Sequence, residues 1–438
     1  MSRRLLIVLV VAVLGYLGWN WVNQREYVMY ALDVNTGAVL WSAGLPENKL
    51  STSEPFVAEG KVYVGLVTQE EAYPKDPLIS LVALDAATGA RLWTYTPDPE
   101  QFPSTPDWIW SQVTPYASNG LVFMQLPLVE STSYQTLAID AQTGALRWTL
   151  PNSMFLNGPR MYLEIRGIGD RLFALVYDEQ NAAEDGTDVA IKIINPATGN
   201  VVGDLWRLAT SDDESFYDFD APFLQVNSDT VFLATTKGVH AFDQLTGSEK
   251  YLIEGENIRY SPLKDMLIVR KLSDVAAYDV HTGEEVWRYD PPYQKRIRGY
   301  FKSLRADEST ITVMCDCAAD DGDRDTTLFV LDTKTGQELW SQYIGGSTGS
   351  YFLNAVSSGN QVITGLTHYA NGDEINGVAA FDAASGSLRW EFVTAPTRLK
   401  APVTDGQRVY VTSWEGKLRQ WLTKVDPSWR YRIGLSEN

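Results

Sequence analysis

Hydrophobic and polar positions alternate in short runs along most of the chain, which is typical of half-buried β-strands. Many runs end in Asp or Asn and are followed by Thr-Gly or Ser-Gly and then by a second run that carries Trp or Tyr. Residues 31–41 (ALDVNTGAVLW) and 330–340 (VLDTKTGQELW) are two copies of this pattern. Gly permits the positive φ that closes a tight turn, and the Asp or Asn four residues before it can accept hydrogen bonds from turn amides. Each copy therefore predicts an antiparallel β-hairpin.

This hairpin recurs eight times, and successive turn glycines are 36 to 55 residues apart. A second pair of short strands lies between successive hairpins, as in residues 114–117 and 121–125, so the unit has four strands, A to D. Four-stranded units at this period are typical of β-propeller blades. The sequence therefore predicts an all-β fold, an eight-bladed β-propeller of four-stranded antiparallel blades. The turn glycines are Gly37, Gly89, Gly144, Gly199, Gly247, Gly283, Gly336 and Gly386.

Trp follows the turn glycine by four residues in six of the eight copies. A large ring at a fixed place in each unit fills the wedge between stacked sheets, so we interpret these rings as core packing rather than as an aromatic ligand box.

The ends of the chain predict how the ring closes. The first hairpin, residues 27–43, supplies strands C and D, and residues 401–413 supply strands A and B. Joining them gives an eight-bladed ring with both chain ends in one blade. Residues 418–422 and 429–432 resemble a degenerate further C and D pair, which is an alternative to the first hairpin.

The aliphatic-Asp-x-x-Thr-Gly-x-x-x-Trp hairpin resembles the repeat of the pyrroloquinoline-quinone-like (PQQ-like) propellers over nearly the whole chain after the first 26 residues. That family includes quinoprotein alcohol dehydrogenases and the propeller subunit of the outer-membrane β-barrel assembly machine. The resemblance implies the fold, but the motif marks blade packing and does not specify a ligand.

Quinoprotein dehydrogenases of this family hold PQQ on the propeller axis with a calcium ion and a catalytic Asp, and many have a disulfide between adjacent cysteines. In this chain Asp316 separates Cys315 from Cys317, and no Asp maps onto the catalytic position. We therefore expect no cofactor, with PQQ and calcium as the alternative, and whether the protein is an enzyme stays open.

Residues 5–22 form an uncharged run of 18 residues, just long enough to cross a bilayer as a helix. Arg3 and Arg4 precede this run, and Trp19 and Trp21 lie near its end, which matches the positive-inside rule and an interfacial aromatic belt. The sequence predicts a cytoplasmic tip (1–4), a transmembrane signal anchor (5–22), a short tether (23–26) and an extracytoplasmic propeller (27–438). The alternative is a cleaved signal peptide, although its only passable cleavage site, residues 13–15, cuts through the run.

The net charge of −19 argues against nucleic-acid partners, because a phosphate backbone would be repelled by most of the surface. Cys315 and Cys317 are the only cysteines and lie in a run that alternates like a strand. In an extended chain their Cα atoms are about 6.6 Å apart, too far for an unstrained disulfide. We expect two reduced, packed thiols; a disulfide requires that the strand end or bulge there, and an extracytoplasmic location would favour it.

Candidates for chemistry are few. His240 lies in a predicted strand and is expected to be packed, His281 is expected to be solvated in a Thr-Gly turn, and His368 lies in a predicted loop. None has metal-ligand spacing or a neighbouring nucleophile motif. The acidic segments 212–220 and 320–325 are interpreted as solvated loops, with a contact patch and calcium binding as the respective alternatives.

These observations favour a membrane-anchored extracytoplasmic scaffold or docking subunit, with a quinoprotein-type dehydrogenase or ligand-binding propeller as the alternative. Its expected partners are other membrane-associated or extracytoplasmic proteins. The predicted length variation falls on one face, in residues 68–78, 96–110, 127–135, 178–188, 318–327 and 367–376. Aromatic residues in such insertions are candidates for partner binding. The candidates for partner binding are five aromatic residues and one histidine: Tyr73, Trp108, Trp110, Tyr134, His368 and Tyr369.

Overall fold

The protein is a ring of eight antiparallel sheets in a computed structural model. Thirty-three strands and no helices occur in the residues that the structure describes. These are residues 25–45, 49–68, 78–98, 115–127, 134–150, 164–178, 188–209, 224–255, 258–271, 274–290, 301–318, 324–346, 355–370, 373–393 and 399–416.

The strands are numbered in chain order. They are β1 (Arg25–Asp33), β2 (Val39–Gly44), β3 (Lys49–Thr52), β4 (Phe56–Ala58), β5 (Lys61–Thr68), β6 (Leu78–Asp85), β7 (Arg91–Tyr95), β8 (Tyr116–Ser118), β9 (Leu121–Pro127), β10 (Tyr134–Asp140), β11 (Leu146–Leu150), β12 (Ile165–Ile168), β13 (Arg171–Asp178), β14 (Asp188–Ile194), β15 (Val201–Ala209), β16 (Leu224–Val226), β17 (Thr230–Ala234), β18 (Gly238–Asp243), β19 (Glu249–Glu254), β20 (Arg259–Pro262), β21 (Met266–Arg270), β22 (Val275–Asp279), β23 (Glu285–Tyr289), β24 (Phe301–Ala306), β25 (Thr310–Ala318), β26 (Arg324–Asp332), β27 (Glu338–Gly346), β28 (Ala355–Ser358), β29 (Gln361–Ala370), β30 (Asp373–Asp382), β31 (Leu388–Val393), β32 (Val403–Thr404) and β33 (Arg408–Gly416).

Each blade is a meander of strands A to D, as predicted, and strand A is the innermost. Blade I contains β32, β33, β1 and β2, blade II contains β3 to β7, and blades III to VIII take four consecutive strands each. Blade II has a fifth strand because its inner edge is interrupted. Between β3 and β4, Ser53 Oγ accepts a hydrogen bond from the Gly65 amide at 2.9 Å, and Pro55 has no amide proton to donate.

The predicted closure of the ring by both chain ends is confirmed. β1 pairs with β33 from Arg25 opposite Gly416 to Asp33 opposite Arg408, so the first hairpin completes a blade that the C-terminal strands begin. The alternative pair at 418–422 and 429–432 lies outside the described residues.

The turn glycines have the conformation that the hairpin motif predicts. All eight have φ between 68° and 74°. The preceding Asp also acts as predicted: Asp332 Oδ1 accepts hydrogen bonds from the Lys334 and Thr335 amides at 3.1 and 2.8 Å, and from the Thr335 hydroxyl at 2.7 Å.

The tryptophans pack as predicted, and the structure identifies what they pack against. The Trp287 ring covers Gly336 in the next blade so closely that an added Cβ would lie 2.3 Å from Cε3. The indole N–H of Trp287 donates to the Thr333 carbonyl oxygen at 3.0 Å. The same ring-on-glycine contact joins Trp41 to Gly89, Trp93 to Gly144, Trp148 to Gly199, Tyr251 to Gly283, Trp340 to Gly386 and Trp390 to Gly37. This contact, which we call the blade latch, joins neighbouring blades at seven of the eight interfaces. At the eighth, an added Cβ at Gly247 would instead lie 1.8 Å from the Leu205 carbonyl oxygen.

Residues 5–22, predicted as an anchor, lie outside the described residues. Within the described ranges no helix is long and apolar enough to cross a membrane.

The expectation of reduced thiols is wrong for Cys315, which is disulfide-bonded in a chain that has two cysteines. The two neighbouring ladders differ at this point. The register of β24 against β25 shifts between Phe301 and Ser303, opposite Cys315 and Met314, whereas β25 pairs with β26 in unbroken register from Cys315 to Cys317. Cys315 is buried in the core between blades VI and VII.

Candidate functional site

The meander gives the propeller two different ends. At one end, the turn face, lie the A–B turns and the Thr-Gly turns between C and D. At the other end, the loop face, lie the B–C connections and the connections between blades. On the turn face seven of the eight outer hairpins have Thr-Gly, and Ser385-Gly386 replaces it in blade VIII. The turn face is therefore nearly uniform, whereas the loop face varies from blade to blade.

The candidate partner-binding residues fall into two groups. Tyr73, Trp108 and Trp110 lie outside the described residues. Tyr134 begins β10 opposite Pro127, and His368 and Tyr369 lie near the end of β29, so the structure describes their backbone positions. All three positions are at the loop face.

The predicted loop at 367–376 is wrong, because most of it is an extension of the B–C hairpin in blade VIII. Beyond the Leu366–Gly377 pair, β29 and β30 continue for four more pairs, from Thr367–Asn376 to Ala370–Asp373. His368 is thus a strand residue opposite Ile375. Four residues of strand project about 14 Å. The residues between the strands in sequence, Asn371 and Gly372, form a strong hairpin-turn signal that the loop prediction overlooked.

Blade V has a much shorter B–C connection on the loop face. Thr235 and Gly238 exchange both backbone hydrogen bonds, at 2.8 and 3.2 Å, so only two residues close its hairpin. Thr235–Gly238 in blade V corresponds to Leu366–Gly377 in blade VIII, because each is the sixth pair of its B–C hairpin counted from the turn face. The B–C hairpin of blade VIII therefore projects further from the loop face than that of blade V.

The other two histidines behave as predicted. His240 is buried in β18, where Nδ1 lies 2.8 Å from Glu249 Oε1 and Nε2 lies 3.2 Å from Thr235 Oγ1. His281 lies in an exposed turn.

The innermost strands form the wall of the propeller axis. Strands β4, β8, β12, β16, β20, β24, β28 and β32 each contact the inner strands of both neighbouring blades. In every blade one residue of strand A pairs with the residue seven positions later in strand B. These eight equivalent residues form one layer around the axis: Phe56, Tyr116, Arg166, Gln225, Ser261, Arg305, Val356 and Val403.

Charged side chains gather in this layer and in the next layer toward the loop face. Arg166 and Arg305 lie in the layer itself, whereas Glu54, Glu164 and Arg259 lie two residues earlier in their strands or in the residues that lead into them. Lys400 precedes β32 and interacts electrostatically with Glu54. We call these six residues the axial cluster. Its four basic side chains outnumber its two carboxylates.

Arg166 is held in place by its neighbours. Its NH1 donates to the Ile165 carbonyl oxygen at 2.9 Å, and its guanidinium lies over the Tyr116 ring, 5.0 Å from the centroid. Its NH2 lies 3.8 Å from Glu164 Oε2, and that same oxygen accepts a hydrogen bond from the Leu224 amide at 2.7 Å. The guanidinium is therefore preorganised, and Glu164 is already engaged by the backbone.

Burial raises the pKa of Glu54, while the positive charges of Arg305 and Lys400 lower it. Burial also lowers the pKa of Arg305; Glu54 raises it, and repulsion from Arg259 and Arg166 lowers it further. The Arg305 residue itself is exposed to solvent.

Sequence reasoning missed the axial cluster because its members come from five blades that are distant along the chain. The only signal was a charged residue in strand A where other blades have Phe56, Val356 or Val403. That signal becomes readable only once the register of each A–B hairpin is known.

PQQ is a tricarboxylic quinone, and the arginines of the axial cluster fit its carboxylates. A calcium ion requires six to eight oxygen ligands, several of them from carboxylates. Within the described ranges no three His, Cys, Asp or Glu side chains lie close enough to hold a metal ion. The described residues therefore fit the anionic groups of PQQ and do not provide its calcium site.

Comparison with known proteins points to the same fold. A family model described as "Outer membrane protein assembly factor BamB" matches residues 18–155, 187–359 and 324–430. Quinohemoprotein alcohol dehydrogenase ADH IIB of Pseudomonas putida is 30% identical over 149 residues, 33% of this chain and 21% of that protein. Outer membrane protein assembly factor BamB of Moranella endobia is 31% identical over 107 residues, 24% of this chain and 27% of that protein. The matched regions thus span about a quarter of the length of these relatives.

Among solved structures, the quinohemoprotein alcohol dehydrogenase from Comamonas testosteroni superposes with a TM-score of 0.51 and 12% sequence identity, covering 89% of this chain and 76% of that chain. Apo AztD from Citrobacter koseri superposes with a TM-score of 0.50 and 11% identity, covering 90% of this chain and all of that chain. At these identities the likeness concerns the propeller fold alone.

Proposed function

Because the chain belongs to the family described as outer membrane protein assembly factor BamB, we propose that it is a membrane-anchored, extracytoplasmic scaffold or docking subunit of a membrane-associated assembly. The observation that carries the proposal is the contrast between the two ends of the ring. A uniform turn face and a loop face with a projecting hairpin are what repeat proteins use when one face binds partners.

The closed ring suits this role. β1 and β33 join the two chain ends in one blade, and the blade latch ties neighbouring blades together. A ring fixed in this way holds the strand ends at the loop face in a constant arrangement, as a docking platform requires. The anchor proposed at residues 5–22 leaves only residues 23 and 24 before β1, so blade I lies close to the membrane.

The projecting hairpin of blade VIII provides a direct test. Replacing residues 367–376 by the Thr-Lys turn of blade V keeps the Leu366–Gly377 pair and removes only the four outer pairs. In gently solubilised membranes we expect the wild-type chain of 48.9 kDa to migrate within a larger assembly and the trimmed variant to be released from it.

A matched control alters the turn face. Replacing Ser358-Gly359-Asn360 of blade VIII by the Ser-Asn-Gly turn of blade III should leave the assembly intact. Release by the control variant, or an intact assembly with the trimmed variant of unchanged melting temperature, contradicts docking through the blade VIII hairpin.

A second candidate function is that of a quinoprotein-type dehydrogenase. It is favoured by the match to quinohemoprotein alcohol dehydrogenase ADH IIB and by the arginines of the axial cluster. Adding PQQ and calcium to the purified protein tests this candidate. A bound-cofactor absorption band together with alcohol-dependent dye reduction would support the dehydrogenase, whereas the docking proposal expects no dye reduction.

A further inference from the structure

The B–C hairpin of blade VII also projects from the loop face. Counted from the turn face, its sixth pair is Cys315–Thr327, which corresponds to the pair that closes the short hairpin of blade V. Three further pairs follow, up to Ala318–Arg324. Cys315 therefore lies in the body of the ring, whereas Cys317, at the eighth pair, lies in the projecting part. A bridge between the two cysteines joins these regions.

This bridge is opposed by the strand that carries it. Cys315 is disulfide-bonded, and Cys317 is the only other cysteine of the chain. Both residues pair with β26 in unbroken register. Residues two apart on an extended strand have Cα atoms about 6.6 Å apart, whereas a relaxed disulfide brings its Cβ atoms to about 3.8 Å. A disulfide held away from its relaxed geometry is reduced more readily.

The fold accommodates the reduced form as well. Cys315 is buried between blades VI and VII among apolar side chains that include Val313 and Phe329. A free thiol packs in such surroundings as a small apolar group. Nine residue pairs join β25 to β26, and none of them depends on the bridge. Breaking the S–S bond therefore keeps the sheet and removes the conflict between bridge and ladder.

We propose that Cys315–Cys317 is a thiol–disulfide exchange site that thiol reductants open in the folded protein. With a dithiol, one thiolate bonds to a sulfur of the bridge, the S–S bond breaks, and the released cysteine sulfur takes up a proton. The second thiol of the reductant then bonds to the reductant's own sulfur in the mixed disulfide. This step releases the other cysteine as a thiol and leaves the reductant as a cyclic disulfide.

Two electrons and two protons thus pass from the dithiol to the protein, and the projecting part of the blade VII hairpin relaxes to its extended ladder. The exchange requires no metal ion or quinone. This site is independent of docking at the loop face and of the second candidate function.

Equilibration of the purified full chain with mixtures of reduced and oxidised dithiothreitol tests the proposal. Free thiols are trapped with a maleimide and counted by intact-mass measurement, while tryptophan fluorescence reports folding. We expect both cysteines to be trapped in protein that is still folded. A bridge that stays closed until urea unfolds the chain overturns the proposal.

A matched control moves the bridge to a relaxed position. Cys317→Ser combined with Thr327→Cys places the second cysteine directly opposite Cys315, at a cross-strand distance that a disulfide spans. We expect half reduction of the wild-type bridge at a ratio of reduced to oxidised dithiothreitol at least about tenfold lower than in the control. An equal or higher ratio overturns the conflict between bridge and ladder. The wild-type titration decides alone if the control does not oxidise.

Hydrogen exchange measures the consequence for the hairpin. Reduction should slow exchange at the backbone amides of residues 316–318 and 324–326, and leave exchange in the blade VIII hairpin, residues 367–376, unchanged. Unchanged exchange in both hairpins would show that the bridge does not distort the ladder and would overturn this part of the proposal. Neither result bears on release of the chain from its membrane assembly.

Discussion

The blade latch makes a quantitative prediction about two glycines that have the same backbone conformation. Gly336 and Gly120 both have φ of +69°. An added Cβ at Gly336 would lie 2.3 Å from Trp287 Cε3, whereas nothing lies within 4 Å of an added Cβ at Gly120. The pair separates the cost of a left-handed alanine from the cost of displacing the indole ring.

The left-handed conformation costs alanine about 1 kcal/mol relative to glycine, and this cost applies to both variants. Overpacking against a ring held by its own hydrogen bond adds about 1–3 kcal/mol in Gly336→Ala alone. We therefore expect Gly120→Ala to lower the free energy of unfolding by about 1 kcal/mol and Gly336→Ala by about 2–4 kcal/mol.

Urea denaturation followed by tryptophan fluorescence measures both values. A double variant, Gly336→Ala with Trp287→Leu, provides the check on mechanism. Because the smaller side chain removes the clash, the two changes should cost less together than the sum of their separate effects. Equal destabilisation in Gly336→Ala and Gly120→Ala would refute the latch as the reason for glycine at these turns.

Two further predictions concern the same motif. Trp287→Phe removes the N–H that donates to the Thr333 carbonyl oxygen. We expect it to lower the free energy of unfolding, measured by urea denaturation, by about 1–3 kcal/mol. An unchanged free energy of unfolding contradicts the latch. The Thr335 hydroxyl donates a hydrogen bond that lowers the pKa of the Asp332 carboxyl below its usual 3.8. The charged carboxylate therefore stabilises the fold above pH 3.8, and this stabilisation is lost as the pH falls through the lowered pKa of the folded state. Asp332→Asn keeps an uncharged hydrogen-bond acceptor, as Asn195 does in blade IV. The variant should therefore be less stable than the wild type at pH 7, and this difference in the free energy of unfolding should shrink toward pH 2. A constant difference across that pH range contradicts the role of the charge.

The repeat was predictable because its chemistry is local. Asp332, Thr335 and Gly336 lie within five residues, so the turn that they form is visible in a short window of sequence. Chain closure was predictable for a related reason, since each end supplies the half of a blade that the other lacks.

What the sequence did not reveal depends on register and on distant contacts. The hairpin at residues 367–376 was predicted as a loop, because its alternation is weak and the Asn371-Gly372 signal was overlooked. The disulfide at Cys315 was not predicted, because the extended strand that the alternation indicates separates Cys315 and Cys317 too far for an unstrained bridge. Arg166 and Arg305 are 139 residues apart in sequence and share one layer only because each pairs with the residue seven positions later in its own blade.

Docking through the loop face is tested most directly by site-specific photocrosslinking in native membranes. A crosslinker at Tyr369 lies near the tip of the blade VIII hairpin, and one at Thr335 lies on the turn face of blade VII. The account predicts that the same partner is captured repeatedly from position 369 and not from position 335. Capture of that partner from position 335 with none from position 369 would contradict it.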